Sequence, residues 1–227
     1  MREFGAQMQR KAAELGLPLI PPSMDSETKG LKLLQGVNYA SAGSGILNST
    51  GLFFLIQLLV WTVSSQLQVL YEFGARKVVV TGLSPLGCCP SQIAKYNLTG
   101  ECIGFLNDVS KQYNAALMTM LLEKREKLKD FHLVYRNLYD ILTEPIASPA
   151  MYGFNFSNTA CCGVGRLNGK FICTAFFLPC DDPPLHIFFD YYHPTDTMNY
   201  LNFRKVYFEG PPYNIPCSAQ SLVHVPI

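Results

Sequence analysis

The sequence predicts an α/β protein in which a mainly parallel sheet is flanked by helices, and two observations support this prediction. Segments with the pattern of strands alternate along the chain with segments of helical periodicity. Such alternation is typical of sheets whose parallel strands are joined by crossover helices. Residues 76–83 (RKVVVTGL) are also β-branched and almost continuously apolar, as expected of a parallel strand that is covered on both faces.

The first half of the chain is predicted to contain a strand, a helix and this apolar strand, in that order. Residues 36–40 form a short predicted strand that runs into a turn of small residues at 41–45. From Leu59 onward, apolar residues recur at helical spacing. We expect Gly74 to end this helix, because glycine tolerates the left-handed conformation of a C-terminal cap.

The second half is predicted to contain a long helix and two further strands. Residues 105–129 show an amphipathic pattern, residues 131–135 are predicted as a strand, and residues 186–189 as a final short strand. The apolar stripe of the long helix consists of Leu106, Val109, Tyr113, Leu117 and Met120. No repeat, low-complexity tract or linker interrupts the chain, so we expect residues 1–227 to form a single domain.

Composition and charge exclude some classes of function. The chain has 227 residues, of which 48% are hydrophobic and 15% charged, and its net charge is +1. A nucleic-acid-binding protein would carry a basic excess, so we do not expect a nucleic-acid partner. The longest apolar run, residues 52–63, is shorter than the roughly 20 residues of a spanning helix, so we expect no membrane span.

Eight cysteines and three glycosylation sequons, at Asn48, Asn97 and Asn155, favour an oxidising compartment. The cysteines show no C-x-x-C spacing, so disulfides are favoured over a zinc site, but the sequence does not determine their pairing. Residues 1–11 lack the apolar region of a signal peptide. We interpret this conflict as a chain that has lost its original beginning.

The candidate chemistry lies in residues 188–196 (FFDYYHPTD). Asp190 precedes His193 by three residues, directly after an apolar run. Such a carboxylate can accept the imidazole N–H, hold one tautomer and stabilise the imidazolium, as in a Ser-His-Asp triad. Gly43, Ser84 and this pair all follow predicted strands, where catalytic groups of α/β proteins gather. His132, His186 and His224 are interpreted as structural or terminal residues, and Met118 and Met120 as core residues of the long helix.

Several stretches resemble plant GDSL esterase/lipases of the SGNH hydrolase superfamily, and they occur in that family's order over nearly the whole chain. The resemblance implies a three-layer α/β/α fold with a mainly parallel sheet, in a domain that is incomplete at its N-terminal strand. The missing strand would leave its neighbour with an unpaired edge. The matching stretches are residues 17–22 (LPLIPP), 36–46 (GVNYASAGSGI), 74–90 (GARKVVVTGLSPLGCCP), 152–154 (YGF), 160–163 (ACCG) with Cys173 and Cys180, and 189–195 (FDYYHPT).

The resemblance also implies residue roles. Asp190 and His193 resemble the family's Asp-x-x-His pair, and Gly43 resembles a glycine that donates to the oxyanion. The family's nucleophile block, Gly-Asp-Ser-Leu, and its oxyanion block, Gly-x-Asn-Asp, do not occur in these residues. Ser84 and Ser44 are weak substitutes: Leu86 and Pro85 break the Gly-x-Ser-x-Gly elbow pattern around Ser84, and Ser44 lies in a small-residue turn.

Two hypotheses follow. The first is hydrolysis of carboxylic esters or acyl lipids by a secreted plant glycoprotein, with a small-molecule substrate and without cofactor or metal. The second is a catalytically inactive fragment or pseudoenzyme of the same family. The sequence does not determine the oligomeric state or the acyl preference.

Overall fold

The computed structural model describes residues 52–226, and the chain divides into two compact units, residues 1–76 and 77–227. The predicted strand 36–40, Gly43 and Ser44 lie outside the described residues. The single-domain expectation stays a prediction.

In the first unit, helix α1 spans Leu52–Glu72 and confirms the predicted helix. Its end follows the expected glycine cap, since Gly74 has a φ of +95°. The Gly74 N–H donates to the Tyr71 carbonyl at 2.9 Å, and the Ala75 N–H donates to the Leu70 carbonyl at 2.9 Å. These bonds satisfy carbonyls that the helix end would otherwise leave without donors.

The second unit contains three strands, five helices of six or more residues and four short 3₁₀ turns among its described residues. The predicted strands at 76–83 and 131–135 and the helix at 105–129 are confirmed within a few residues. The elements are β1 (Lys77–Thr81), α2 (Pro90–Tyr96), α3 (Gly104–Lys127), β2 (His132–Arg136), α4 (Leu138–Ala147), α5 (Asp196–Phe208), β3 (Asn214–Ile215) and α6 (Ala219–His224).

The three strands form one sheet in the order β1-β2-β3. β1 pairs with β2 in parallel, from Lys77 opposite His132 to Thr81 opposite Arg136. The two-residue β3 is antiparallel to β2, with Tyr135 opposite Ile215. The parallel pair joined through α2 and α3 confirms the α/β class, whereas the short antiparallel strand was not predicted.

The two parallel strands differ in how they are covered. In β2, the consecutive residues Leu133, Val134 and Tyr135 are all buried, so both faces of this strand are covered. In β1, Val79 is 37% exposed, and the prediction that this strand is covered on both faces is therefore wrong. Among the described residues, β1 has β2 as its one neighbour and forms the edge of the sheet.

The predicted strand at residues 186–189 is wrong. Its backbone groups bond to loops instead of to a strand: the Ile187 N–H donates to the Phe156 carbonyl at 2.9 Å, and the Phe188 carbonyl accepts from Cys161 at 3.0 Å. Ile187 and Phe188 are buried in a core cluster with Ile141, Phe154 and Met198. An apolar run of four residues fits a buried loop as well as it fits a strand.

The long helix α3 buries Val109, Tyr113 and Leu117, which confirms the centre of the predicted stripe. Leu106 and Met120 are half-buried, as is Met118. Two polar residues on the buried side, Ser110 and Asn114, were not expected in the core. Two hydrogen bonds compensate for the burial of the Asn114 amide. Its side chain accepts from the Leu83 N–H at 2.6 Å and donates to the Leu83 carbonyl at 2.9 Å.

Three disulfides confirm the interpretation of the cysteines: Cys88–Cys102, Cys161–Cys180 and Cys162–Cys173. Cys89 and Cys217 have free thiols. Each disulfide removes loop-closure entropy from the unfolded chain and so stabilises the fold.

An ion pair between the buried Lys205 and the partly exposed Glu144 joins α4 to α5. Lys205 Nζ donates to Glu144 Oε2 at 2.6 Å and lies 3.7 Å from the centre of the Tyr213 ring. The hydroxyls of Tyr213 and Tyr152 also donate to Glu144, at 2.7 Å and 2.9 Å. These contacts hold α5 against α4, and α5 begins shortly after the Asp190–His193 turn.

No helix within the described part of the chain is long and apolar enough to cross a membrane.

Candidate active site

The turn that carries Asp190 and His193 is fixed at both ends. On its N-terminal side Phe188 is 2% exposed in the core, and the Phe189 N–H donates to the His193 carbonyl at 2.7 Å. On its C-terminal side Thr195 is the N-cap of α5: its hydroxyl accepts from the Met198 N–H and donates to the His186 carbonyl at 2.7 Å. The core and the helix cap together position the pair.

Within this turn, the imidazole and the carboxylate meet directly. His193 Nδ1 lies 2.8 Å from Asp190 Oδ2 and 3.0 Å from Asp190 Oδ1. Because an ionised carboxylate only accepts, Nδ1 is the protonated nitrogen of the neutral ring. Nε2 is then the nitrogen that can take a proton, as in the base of a catalytic triad.

Two backbone amides complete the environment of the carboxylate. Asp190 Oδ1 accepts from the N–H groups of Tyr192 at 2.8 Å and His193 at 2.7 Å. Burial by itself raises the pKa of Asp190, but the hydrogen bonds from the His193 ring and the two amides outweigh it, so the net pKa is lowered. Asp190 is therefore ionised at neutral pH and can stabilise an imidazolium.

The start of α2 packs against the same turn, which the sequence did not indicate. The Ser91 N–H donates to the Tyr191 carbonyl at 3.1 Å, and Gln92 Nε2 donates to the Tyr192 hydroxyl at 2.7 Å. Gln92 and Tyr192 are 100 positions apart, so no local pattern could have paired them. Gln92 is consequently a contact of this turn that sequence reasoning missed.

Cys89 lies close enough to Asp190 to be influenced by its charge, but its thiol is not activated as a nucleophile. Burial, and then the negative charge of Asp190, raise the pKa of the Cys89 thiol to about 12. A thiol with this pKa stays protonated at neutral pH, and the thiolate is the reactive form.

The weak serine candidate Ser84 lies three positions beyond the end of β1. Pro85 follows it and leads into the 3₁₀ turn Leu86–Cys88, so Ser84 does not sit at a sharp strand-to-helix elbow. The preceding residue, Leu83, is bound to Asn114 of α3. Gly43 and Ser44, the other residues proposed for the site, fall on residues whose structure is not described.

The remaining histidines have structural environments. His186 is buried, stacks on Phe156 with ring centres 4.2 Å apart, and lies with Nδ1 2.9 Å from the Thr159 carbonyl. His132 begins β2, and His224 ends α6. Among residues 52–226, no group of three or more histidine, cysteine or acidic side chains could hold a metal ion.

Comparison with known proteins relates the chain to one family of lipases and esterases. The sequence model of the GDSL-like lipase/acylhydrolase family matches residues 55–206. GDSL esterase/lipase 7 of Arabidopsis thaliana is 28% identical over 282 residues, which cover 93% of this chain and 78% of that protein. A second Arabidopsis thaliana GDSL esterase/lipase is 30% identical, with 83% of this chain and 69% of its own length covered. A third is 36% identical, with 74% and 46% covered.

The lengths of these alignments contain further information. The alignment with GDSL esterase/lipase 7 extends over 282 residues, although 93% of a 227-residue chain is about 211 residues. About 70 aligned positions of that relative therefore face gaps in this chain. The third relative aligns over 172 residues with 74% of the chain, about 168 residues, and thus almost without gaps.

Proposed function

Because the chain belongs to the GDSL-like lipase/acylhydrolase family, we propose that its candidate site is the acid–base half of a serine-type ester hydrolase. His193 would take the proton of a serine nucleophile through Nε2, and Asp190 would hold the ring in the required tautomer. The observation that supports these roles is the contact between His193 Nδ1 and both Asp190 oxygens, at 2.8 Å and 3.0 Å. Gly43 would donate its N–H to the oxyanion.

The substrate class that we propose is a carboxylic ester or acyl lipid, hydrolysed without cofactor. The carboxylate and imidazole supply proton transfer, and the reaction class needs no other electron or group carrier. Three sequons and three disulfides support a secreted glycoprotein. Degradation of lipid would follow from this substrate class in a family member that also has the nucleophile and oxyanion blocks.

We also propose that the 227 residues by themselves hydrolyse esters at a negligible rate. They contain neither Gly-Asp-Ser-Leu nor Gly-x-Asn-Asp, and the roughly 70 positions of a relative that face gaps in this chain support a loss of internal sequence. Removal of a triad serine costs on the order of 10⁶ in turnover, and removal of one oxyanion donor about 10²–10³. Ester hydrolysis is thus the function that we propose for the site when the missing blocks are present. For the 227 residues alone, the second candidate is a catalytically inactive member of the family.

A chimera tests the acid–base roles. The Gly-Asp-Ser-Leu and Gly-x-Asn-Asp blocks of a family member are joined to this chain, and hydrolysis of p-nitrophenyl butyrate is measured. We expect activity that falls at least about 10⁴-fold with His193→Ala. The matched control is His224→Ala at the end of α6, which should leave activity unchanged. An active chimera that tolerates His193→Ala would refute the proposed role of this histidine.

A further inference from the structure

Residues 171–180 (FICTAFFLPC), here called the apolar loop, project an unusual amount of hydrocarbon into solvent. Phe176 is 94% exposed and Leu178 93%, while Phe171 and Ile172 are 64% and 56% exposed. Single exposed apolar residues are ordinary on protein surfaces, but a concentration of four within eight positions of one short loop is typical of an interaction site.

The loop is anchored on a rigid base. Its two cysteines, Cys173 and Cys180, are bonded to the adjacent residues Cys162 and Cys161, which are 1% and 2% exposed. The Cys180 N–H also donates to the Cys161 carbonyl at 2.8 Å. At the tip, the Phe177 N–H closes a turn on the Thr174 carbonyl at 3.1 Å. The exposed side chains are thus carried by a covalently braced protrusion.

The charge distribution identifies the kind of partner. No residue of the apolar loop is charged, and the nearest charges along the chain stand at its base: Lys170 before it and Asp181 and Asp182 after it. A protein partner would be expected to meet polar groups in a rim around the apolar centre. Highly exposed, uncharged side chains, with charges only at the two ends of the loop, instead match the acyl region of a lipid surface beneath its headgroups.

We propose that the apolar loop inserts into the surface of a lipid bilayer or lipid aggregate and anchors the protein there. The base of the loop is joined to the candidate site, because Cys161 and Cys162 donate backbone N–H groups to Phe188 at 3.0 Å and Phe189 at 2.7 Å, immediately before Asp190. Insertion therefore holds the Asp190–His193 turn close to the lipid surface. The relevance of this position to catalysis rests on the proposed hydrolase function, whereas the anchoring itself does not.

Binding of the full 227-residue chain to phosphatidylcholine vesicles tests the proposal by co-sedimentation. We expect binding that falls roughly 10–100-fold in the Phe176→Ser/Leu178→Ser variant, because each substitution removes one inserted apolar side chain. The matched control is Leu98→Ser/Met151→Ser, which removes two side chains that are 90% and 84% exposed elsewhere on the surface. Its binding should equal that of the unchanged chain.

The remaining outcomes each oppose the proposal. Absence of vesicle binding by the unchanged chain, or an equal loss in the control variant, would overturn it. Binding that requires phosphatidylserine and disappears in high salt would indicate electrostatic attachment instead of insertion. A loop variant that changes the elution volume in size-exclusion chromatography while vesicle binding persists would assign the loop to a protein contact. None of these measurements depends on catalysis, so they are independent of the proposed hydrolase chemistry.

Discussion

Replacement of Asp190 by asparagine tests how the candidate site is held together. Asp190→Asn keeps the shape of the side chain but removes its charge, while one amide oxygen can still accept from the backbone N–H groups of Tyr192 and His193. The amide nitrogen now faces His193 Nδ1, so that ring nitrogen must become the acceptor. Nε2 then carries the proton, and the imidazole is in the wrong tautomer to act as a base.

The size of the effect follows from the bonds of the carboxylate. Three donors reach Asp190: the His193 ring and the backbone amides of Tyr192 and His193. A hydrogen bond to a charged group contributes about 1.5–3 kcal/mol to stability, and a neutral hydrogen bond about 0.5–1.5 kcal/mol. Each of the three hydrogen bonds is therefore weakened by about 1 kcal/mol when the carboxylate becomes an amide. Because the turn is partly open to solvent, we expect Asp190→Asn to reduce the free energy of unfolding by about 1–3 kcal/mol at neutral pH.

The pH dependence has a definite sign. The pKa of Asp190 is lowered in the folded protein from its ordinary value of 3.8. The ionised carboxylate therefore stabilises the fold above pH 3.8, and this contribution is lost as the pH falls from 3.8 through the lowered folded pKa. The difference between the unchanged chain and Asp190→Asn should shrink accordingly in acid.

Urea unfolding of both chains, at neutral pH and again in acid below the folded pKa, measures this difference. Asp108→Asn is the control, since Asp108 forms an exposed pair with Lys111 at 3.5 Å that should contribute less than about 1 kcal/mol. A difference for Asp190→Asn that is the same at both pH values would refute the assigned role of its charge. So would a difference no larger than that of the control.

Two further substitutions test the packing around the site. Glu144→Gln removes the carboxylate partner of the buried Lys205 ammonium and should cost about 1–3 kcal/mol in urea unfolding, whereas unaltered stability would show that the ion pair is not needed. Gly87→Ala places a Cβ against the Ile103 backbone carbonyl and should destabilise the fold by about 1–3 kcal/mol. Gly104→Ala is its control: a Cβ there meets open space at the start of α3, so thermal unfolding should be unchanged or shifted upward, and equal losses at both glycines would contradict the packing.

The parts of the fold that sequence predicts are those with long, periodic or strongly biased patterns. The 24-residue α3 and the β-branched β1 were predicted within a few residues. The C-terminal end of α1 at its Gly74 cap was also predicted, but the helix begins at Leu52, before the predicted start at Leu59. The strand expected at residues 186–189 failed because a short apolar run does not distinguish a strand from a buried loop. The two-residue β3 carries too little pattern to be recognised at all.

The candidate site was predictable only in its local part. Asp190 and His193 are three positions apart, so their spacing could indicate a carboxylate–imidazole contact. The bond between Gln92 and Tyr192 depends on how the chain brings two distant segments together. The disulfide pairing was equally beyond reach, because the adjacent residues Cys161 and Cys162 each had several partners at comparable separations.

The most direct test of the central claim, that the Asp190–His193 pair has no activated serine among these 227 residues, is labelling with a fluorophosphonate probe. The probe reacts covalently only with an activated serine, and an active serine hydrolase serves as the positive control. We predict no labelling of this chain. Labelling that maps to Ser44 or Ser84 and disappears in His193→Ala would contradict the claim and establish a complete triad.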